Sequence, residues 1–258
     1  MPELIEVETY RALADEVVGR TVSEVHAPDD WFVKGSTAEE VVATMTGESI
    51  LATRRRGKLL LMDTTGPTLG LRFGMTGRLL VDGAAAISKL EYSSDRNDPA
   101  WDRFALRFVG GGDLVLRDPR RLGGVELDPQ EDALGIDATT VSAQQLAAVL
   151  ASSARPLKAR LLDQARVAGL GNLLVDETLW RAGLDPQRAS DELTVAEVKS
   201  LRRTMRSTIR ALTRRGGSHT GDLQSERRPG GICPKDGAGL ATAKVGGRTT
   251  WFCPAHQH

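Results

Sequence analysis

Arg155–Gly183 reads RPLKARLLDQARVAGLGNLLVDETLWRAG. Two helical stretches, about 155–165 and 172–182, flank the turn Gly169-Leu170-Gly171-Asn172. Glycines let a backbone come close to a ligand, and amides at a helix start attract phosphate. The same residues also suit a plain αα-hairpin with Asn172 as N-cap. Under either reading the surrounding chain is helical. The helical period continues over roughly 141–152 and 193–214, which makes the part beyond residue 129 an α-helical domain.

Upstream of residue 129 the pattern changes. Residues 3–18 read as a helix, with Tyr10, Leu13, Ala14 and Val17 on one face and Glu3, Glu6 and Glu8 crowding its start, where the helix dipole favours anions. Short apolar runs follow, at Leu59–Met62, Leu69–Phe73, Arg78–Val81, Phe104–Val109 and Leu114–Leu116, separated by Gly, Asp and Pro. They predict antiparallel strands of a sandwich or barrel. A brief helix near Glu39–Met45 interrupts them, and the polar residues 84–100 read as a loop. The composition shifts at Asp128-Pro129, and the domain break is placed there.

The last 30 residues are Gly-rich and poor in core material, so they need a staple to fold. Cys233-Pro-Lys-Asp236 is followed after sixteen residues by Cys253-Pro-Ala-His256. Two ligand pairs with two intervening residues each, flanking a hairpin, have the spacing of a zinc ribbon. A Cys2AspHis set is chemically allowed but unusual. One structural zinc per chain is the expectation. With no further cysteine, the count argues against a disulfide scaffold.

Charge is balanced overall, with 34 Lys/Arg and 34 Asp/Glu, but unevenly placed. Residues 1–50 carry 3 Lys/Arg against 11 Asp/Glu; residues 151–258 carry 18 against 10. A basic second half suits a polyanionic partner. No apolar run reaches membrane length and the acidic start is no signal peptide, so a cytoplasmic, nucleoid-associated monomer is expected. Arg54-Arg55-Arg56 and the stripe Arg202, Arg206, Arg210, Arg214 read as solvated surface, with Lys58 at a hairpin tip within reach of a phosphate.

Removal of Met1 would leave Pro2 as a secondary amine beside the Glu3 carboxylate. Such an amine has a reference pKa of about 8. Its neutral form attacks carbonyl-like carbons, giving an iminium, with the carboxylate moving protons. Pro is equally a good first helical residue. Asp118-Pro119-Arg120-Arg121-Leu122 falls between strands, and an arginine and a leucine two apart on a loop suit a wedge into a base stack.

Taken together, MPELIEVETY, RRRGKLLLM, FGMTGR, LRDPRRLGG, LLDQARVAGLGNLLVDETLWRAGLDP and GGRTTWFCPAHQ resemble the formamidopyrimidine-DNA glycosylase/endonuclease VIII family along nearly the whole chain. The resemblance implies an α+β fold. Residues 1–128 would form an N-terminal antiparallel β-sandwich with an N-terminal helix, 129–228 a helix–two-turn–helix domain, and 229–258 a zinc finger, with DNA between the two halves. It implies a bifunctional glycosylase/lyase of base excision repair, acting on double-stranded DNA with damaged bases or abasic sites. Pro2 would attack the deoxyribose C1′, Glu3 would shuttle protons, and β,δ-elimination would break the strand. Lys58 would hold a phosphate beside the lesion. Lys158, Asn172 and Arg248 match positions that grip the backbone, and Met75 and Arg120 match residues that fill the gap left by the flipped nucleotide.

Several residues depart from the family pattern. Ile5 replaces a second proline, Arg72 a His of the oxidised-purine branch, and Leu122 its Phe wedge. Fifteen residues separate Gly217 from Cys233, fewer than that branch's covering loop. Asp236 and His256 replace two zinc cysteines. Lesion preference stays open between oxidised purines, oxidised pyrimidines and bulky or crosslinked lesions. A non-catalytic binder of damaged DNA is the competing class. An N-terminal-proline tautomerase needs neither a phosphate-binding turn nor a zinc hairpin.

Overall fold

A computed structural model of the protein describes residues 2–87, 90, 96 and 98–258. The chain divides into two compact units, Met1–Glu131 and Asp132–His258.

In the first unit α1 (Leu4–Ala14) precedes two five-stranded sheets. One has the order β1 (Val22–His26), β8 (Asp102–Phe108), β9 (Asp113–Arg117), β6 (Arg78–Val81), β7 (Ala84–Ala85). The other runs β2 (Val33–Lys34), β10 (Gly124–Leu127), β5 (Leu69–Arg72), β4 (Leu59–Thr64), β3 (Ile50–Arg56). Neighbours are antiparallel except the short β2–β10 pair, which is parallel. One apolar core joins Val7 and Tyr10 of α1 to Leu60, Met62, Leu69 and Leu71 of one sheet and Leu79, Val81, Phe104 and Leu116 of the other. Alternation places Leu79 and Val81 in that core and Leu80 on the opposite face, with Ala105 and Val115. The helix α2 (Ala38–Met45) is closed at its start by a Thr37/Glu40 capping box.

The structure departs from the sequence expectations in two places here. The first helix is α-helical only to Ala14, with a 3-10 turn over Asp15–Val17; Val17 stays fully buried, so the expected apolar face survives the change. The arginines at 54–56 lie on β3, and they are engaged. Arg54 Nε is 2.8 Å from Asp63 and also meets Glu131, and Arg55 Nε is 3.0 Å from Glu8, with its side chain only 9% exposed. Carboxylates on the neighbouring strand, on α1 and on a later 3-10 turn, which sequence spacing cannot reveal, thus meet Arg54 and Arg55. The loop expected over 84–100 falls in large part outside the described residues; its ends are β7 and a 3-10 turn at Pro99–Trp101.

The second unit holds α3 (Ala143–Ala151), α4 (Leu157–Leu162), α5 (Asn172–Ala182) and α6 (Val195–Arg215). Ser142 and Thr194 cap α3 and α6 with capping boxes to Gln145 and Glu197. Between α4 and α5, β12 (Val167–Ala168) pairs in parallel with β11 (Ile136–Asp137). The hairpin β13 (Ala241–Val245) and β14 (Arg248–Phe252) turns through Gly246-Gly247, both at positive φ. Gly171, not Asn172, is the N-cap of α5. This frees the Asn172 amide for a tertiary contact.

Candidate functional site

In the first unit Pro2 and Glu3 are buried, and Glu3 is fully enclosed as the N-cap of α1. The Glu3 backbone N–H donates to Glu6 Oε2 at 2.8 Å, and the Glu3 carboxylate accepts from the Glu6 backbone in return. A chain start tied down by a reciprocal cap and an apolar core has a fixed position rather than a frayed one. Tyr10, one helical face further on, stacks at 4.6 Å from Phe73 and donates its hydroxyl to the Gly77 carbonyl at 3.3 Å. Burial pushes its hydroxyl far above the ordinary tyrosine range.

α1 runs antiparallel to β3. Arg11 meets Thr53, and Glu8, one turn nearer the helix start, meets Arg55. Followed to its end, this pairing brings Pro2-Glu3 and the two-residue β3–β4 turn, Gly57-Lys58, to the same end of the unit. Arg72 ends β5 and its guanidinium reaches Glu126 at 3.2 Å, so part of its charge is taken up within the sheet.

Two loops, Phe73–Thr76 and Asp118–Gly123, come together on the fully buried carboxylate of Asp118. It accepts the backbone N–H groups of Arg120 at 3.1 Å and of Leu122 and Gly123 at 2.8 Å, along with the Thr76 hydroxyl. Gly74, at φ +54°, passes so close that a Cβ there would lie 2.4 Å from the Leu122 carbonyl carbon. Only glycine fits both the conformation and the space. Arg120 and Leu122 are exposed on one loop, Leu122 at 49%, and Met75 is half-buried on the loop that Gly74 presses against it. Arg121 sits at φ +55° and makes a two-pronged ion pair with Asp29, at 2.6 Å on each oxygen, which holds the Asp29 carboxyl below the usual carboxylate range.

In the second unit Gln164 closes the turn before α5: its amide donates to the carbonyls of Leu162 and Leu170 at 2.9 Å, and its oxygen accepts from Gly169. The structure gathers the three residues read as backbone-gripping. Lys158 Nζ and Asn172 Nδ2 both donate to the Thr249 carbonyl at 3.3 Å, next to Arg248 at the exposed hairpin tip. Gly246 turns that tip against α4; a Cβ there would meet Ala159 at 3.2 Å. Lys158 itself is enclosed, with no side-chain exposure and an ion pair of 2.6 Å to Asp176. Asp176 also binds Arg227, whose side chain is 7% exposed. Lys158, expected to grip a backbone phosphate, is instead fully buried and holds the carbonyl of Thr249, the residue next to Arg248. Neither Asp176 nor Arg227 was singled out from sequence. The available signal was an acidic pair, Asp176-Glu177, inside the apolar run of α5.

The four expected metal ligands do converge. One donor atom each from Cys233, Asp236, Cys253 and His256 lies within 4.8 Å of the others. The Cys233 Sγ–His256 Nδ1 distance is 3.6 Å, the Cys253 Sγ–Asp236 Oδ2 distance 3.3 Å and the Asp236 Oδ2–His256 Nδ1 distance 2.8 Å. Tetrahedral zinc with ordinary bond lengths sets S–N and S–O edges of about 3.6 Å, so the donor set fits that ion with small adjustments. His256 Nε2 is 3.0 Å from the Trp180 carbonyl. A proton there leaves the Nδ1 lone pair facing the cluster, the usual outer support of a ligating histidine. Backbone and His256 hydrogen bonds hold the Asp236 carboxyl well below its ordinary range, while burial pushes the Cys253 thiol up. A cation offsets the second effect.

Two family models cover most of the chain: the Formamidopyrimidine-DNA glycosylase N-terminal domain over residues 1–125 and the Formamidopyrimidine-DNA glycosylase H2TH domain over residues 132–223. The chain belongs to the formamidopyrimidine-DNA glycosylase family. It is 34% identical over 287 residues to the formamidopyrimidine-DNA glycosylase of Paracoccus denitrificans and 32% identical over 297 residues to that of Halalkalibacterium halodurans, in each case over 100% of both chains. Among solved structures, wild-type Lactococcus lactis Fpg (MutM) with DNA containing N7-benzyl-Fapy-dG matches at TM-score 0.82 and 28% identity over 100% of both chains. The Lactococcus lactis Fpg complex with abasic-site DNA matches at 0.83 and 27% over 99% of both. As a family member, the chain is a DNA glycosylase type of base excision repair. Among the described residues no helix is long and apolar enough to cross a membrane.

Proposed function

We propose that this chain excises damaged bases from double-stranded DNA and then cleaves the strand at the resulting abasic site. The observation that carries the reading is the buried, capped Pro2-Glu3 start on a rigid helix. After removal of Met1 the Pro2 nitrogen attacks the deoxyribose C1′ and the damaged base leaves with the bonding pair. Glu3 gives a proton to the opening sugar oxygen. The resulting iminium acidifies C2′, and loss of that proton expels the 3′ phosphate; a second elimination expels the 5′ phosphate. Lys58 holds the phosphate beside the lesion, and Arg72 lies on the adjoining strand. Met75, Arg120 and Leu122 fill the space the flipped nucleotide leaves. Asn172 and Arg248, backed by Lys158, hold the strand's phosphates at the α5 start and the hairpin tip. Cys233, Asp236, Cys253 and His256 hold one structural Zn2+ that fixes the hairpin.

Leu122 is smaller than an aromatic wedge. The segment before Cys233 is short and fastened to α5, with Glu177 accepting from the Asp222 and Leu223 backbones at 2.9 and 3.0 Å. Both features favour abasic sites, ring-opened purines and oxidised pyrimidines over 8-oxoguanine. Borohydride trapping on abasic DNA tests the chemistry, since a covalent adduct forms only through the amine. A pure DNA binder gives none, and that outcome would refute the proposal. Single-turnover base release from matched duplexes tests the preference, and 8-oxoguanine released as fast as the best lesion would overturn it.

A further inference from the structure

Beside the Arg120–Leu122 loop lies a cleft of about 310 Å3 lined by Trp31, Arg120, Arg121 and Leu122. Trp31 stands out among the large apolar side chains, being 67% exposed on a 3-10 turn whose next residue, Phe32, is fully buried. A fixed turn displays the indole. Phe32 anchors it in the core, and Asp29 at its start is clamped by both prongs of Arg121. That same clamp holds the loop that carries Leu122. Among the described residues the cation over the indole is Lys34, 4.8 Å from the ring centroid. Among the described residues the Arg120 guanidinium has no hydrogen-bond or ion-pair partner, whereas that of Arg121 is spent on Asp29.

An exposed aromatic face, an unspent fork of donors and an aliphatic wedge around one small cleft match the needs of a single unpaired nucleobase. The face stacks on its ring, the fork reads its edge, and the wedge keeps it from its former neighbour. We propose that Trp31 is a specificity-determining residue that stacks on the base left unpaired opposite the excised nucleotide, supplying the aromatic surface that Leu122 lacks. The inference rests on the DNA-glycosylase reading above and deepens it.

The test compares wild type with Trp31→Ala and Trp31→Phe on duplexes carrying a non-cleavable abasic-site analogue. One duplex set places each of the four bases opposite the analogue; a second places another abasic analogue there. Trp31→Ala is expected to lower affinity about tenfold when a base is present and to leave the doubly abasic duplex unchanged. Trp31→Phe retains most of the affinity. Equal losses on both duplex sets would place Trp31 on the backbone, and no loss on either would leave it unused; each result overturns the proposal. Borohydride trapping by wild type runs in parallel. Its failure sinks the glycosylase/lyase reading, whereas normal trapping with an unaltered Trp31→Ala profile sinks only the stacking role. The exposure of Trp31 makes a folding defect detectable as a shift in Tm that this substitution is not expected to cause.

Discussion

Pro2 and Glu3 ride on a helix sunk into a core of Val7, Tyr10, Leu60, Leu71 and Phe104, whereas Arg248 rides on a two-stranded hairpin whose buried apolar side chains are Val245 and Phe252. The hairpin end of the second unit has its own small cluster of Trp180, Leu223, Cys233 and Cys253. Polar contacts add to it: the four-ligand cluster at its base, and Lys158, Asp176 and Asn172 around Thr249 near its tip. Apolar burial scales with area and is indifferent to protonation or metal. Ion-held geometry depends on each partner being present and charged. The proposed reacting end is therefore robust to conditions, and the proposed phosphate-holding end is conditional on them.

The largest expected effect probes the robust side. Pro2→Gly keeps an amine but makes it primary and removes a buried ring, and trapping on abasic DNA should fall roughly a hundredfold or more. Wild-type trapping by protein whose N-terminus is shown by mass spectrometry to be blocked would break the assignment. On the conditional side, Cys253→Ser should lose the metal and at least about tenfold in DNA affinity, while the first unit keeps its unfolding transition. Metal analysis finding no zinc in the untagged wild type, with affinity untouched by chelator, would erase the contrast between the two regions.

Asp176→Ala sharpens it further. The substitution leaves Lys158 and Arg227 buried without their anion, so the second unit should lose about 3–5 kcal/mol in denaturant unfolding. A change below about 1 kcal/mol would show that water or an alternative anion reaches these cations.

The smallest effect concerns the α6 start. The Arg188 guanidinium holds the Glu197 carboxyl down at about 2, below its ordinary 4.5. A depressed carboxyl contributes stability that is complete above pH 4.5 and lost as pH falls towards 2. Because this pair is partly solvated, about 0.5 kcal/mol is expected. It is measurable as the difference between wild type and Glu197→Gln across that window, and equal acid profiles would remove it.

Sequence alone determined many of the elements and the residue inventory. Helices and strands write their burial into periods of 3.6 and 2, so α5 matches its expected span of 172–182 and β6 its expected Arg78–Val81. The Cys/Asp and Cys/His pairs announced a common ligand set through local spacing, and the structure brings them within reach of one ion. Tertiary structure alone decided which charges are displayed and which are consumed. Lys158 is enclosed by a carboxylate 18 positions on and a carbonyl 91 positions on. Arg55 meets Glu8 across 47 positions, and Trp31 joins Arg120 and Leu122 from a distant part of the chain. A charge and its partner obey no sequence period, because their distance is set by how sheets and helices pack. The identity of a residue can therefore be read from the chain, but its exposure and its partners arise only on folding.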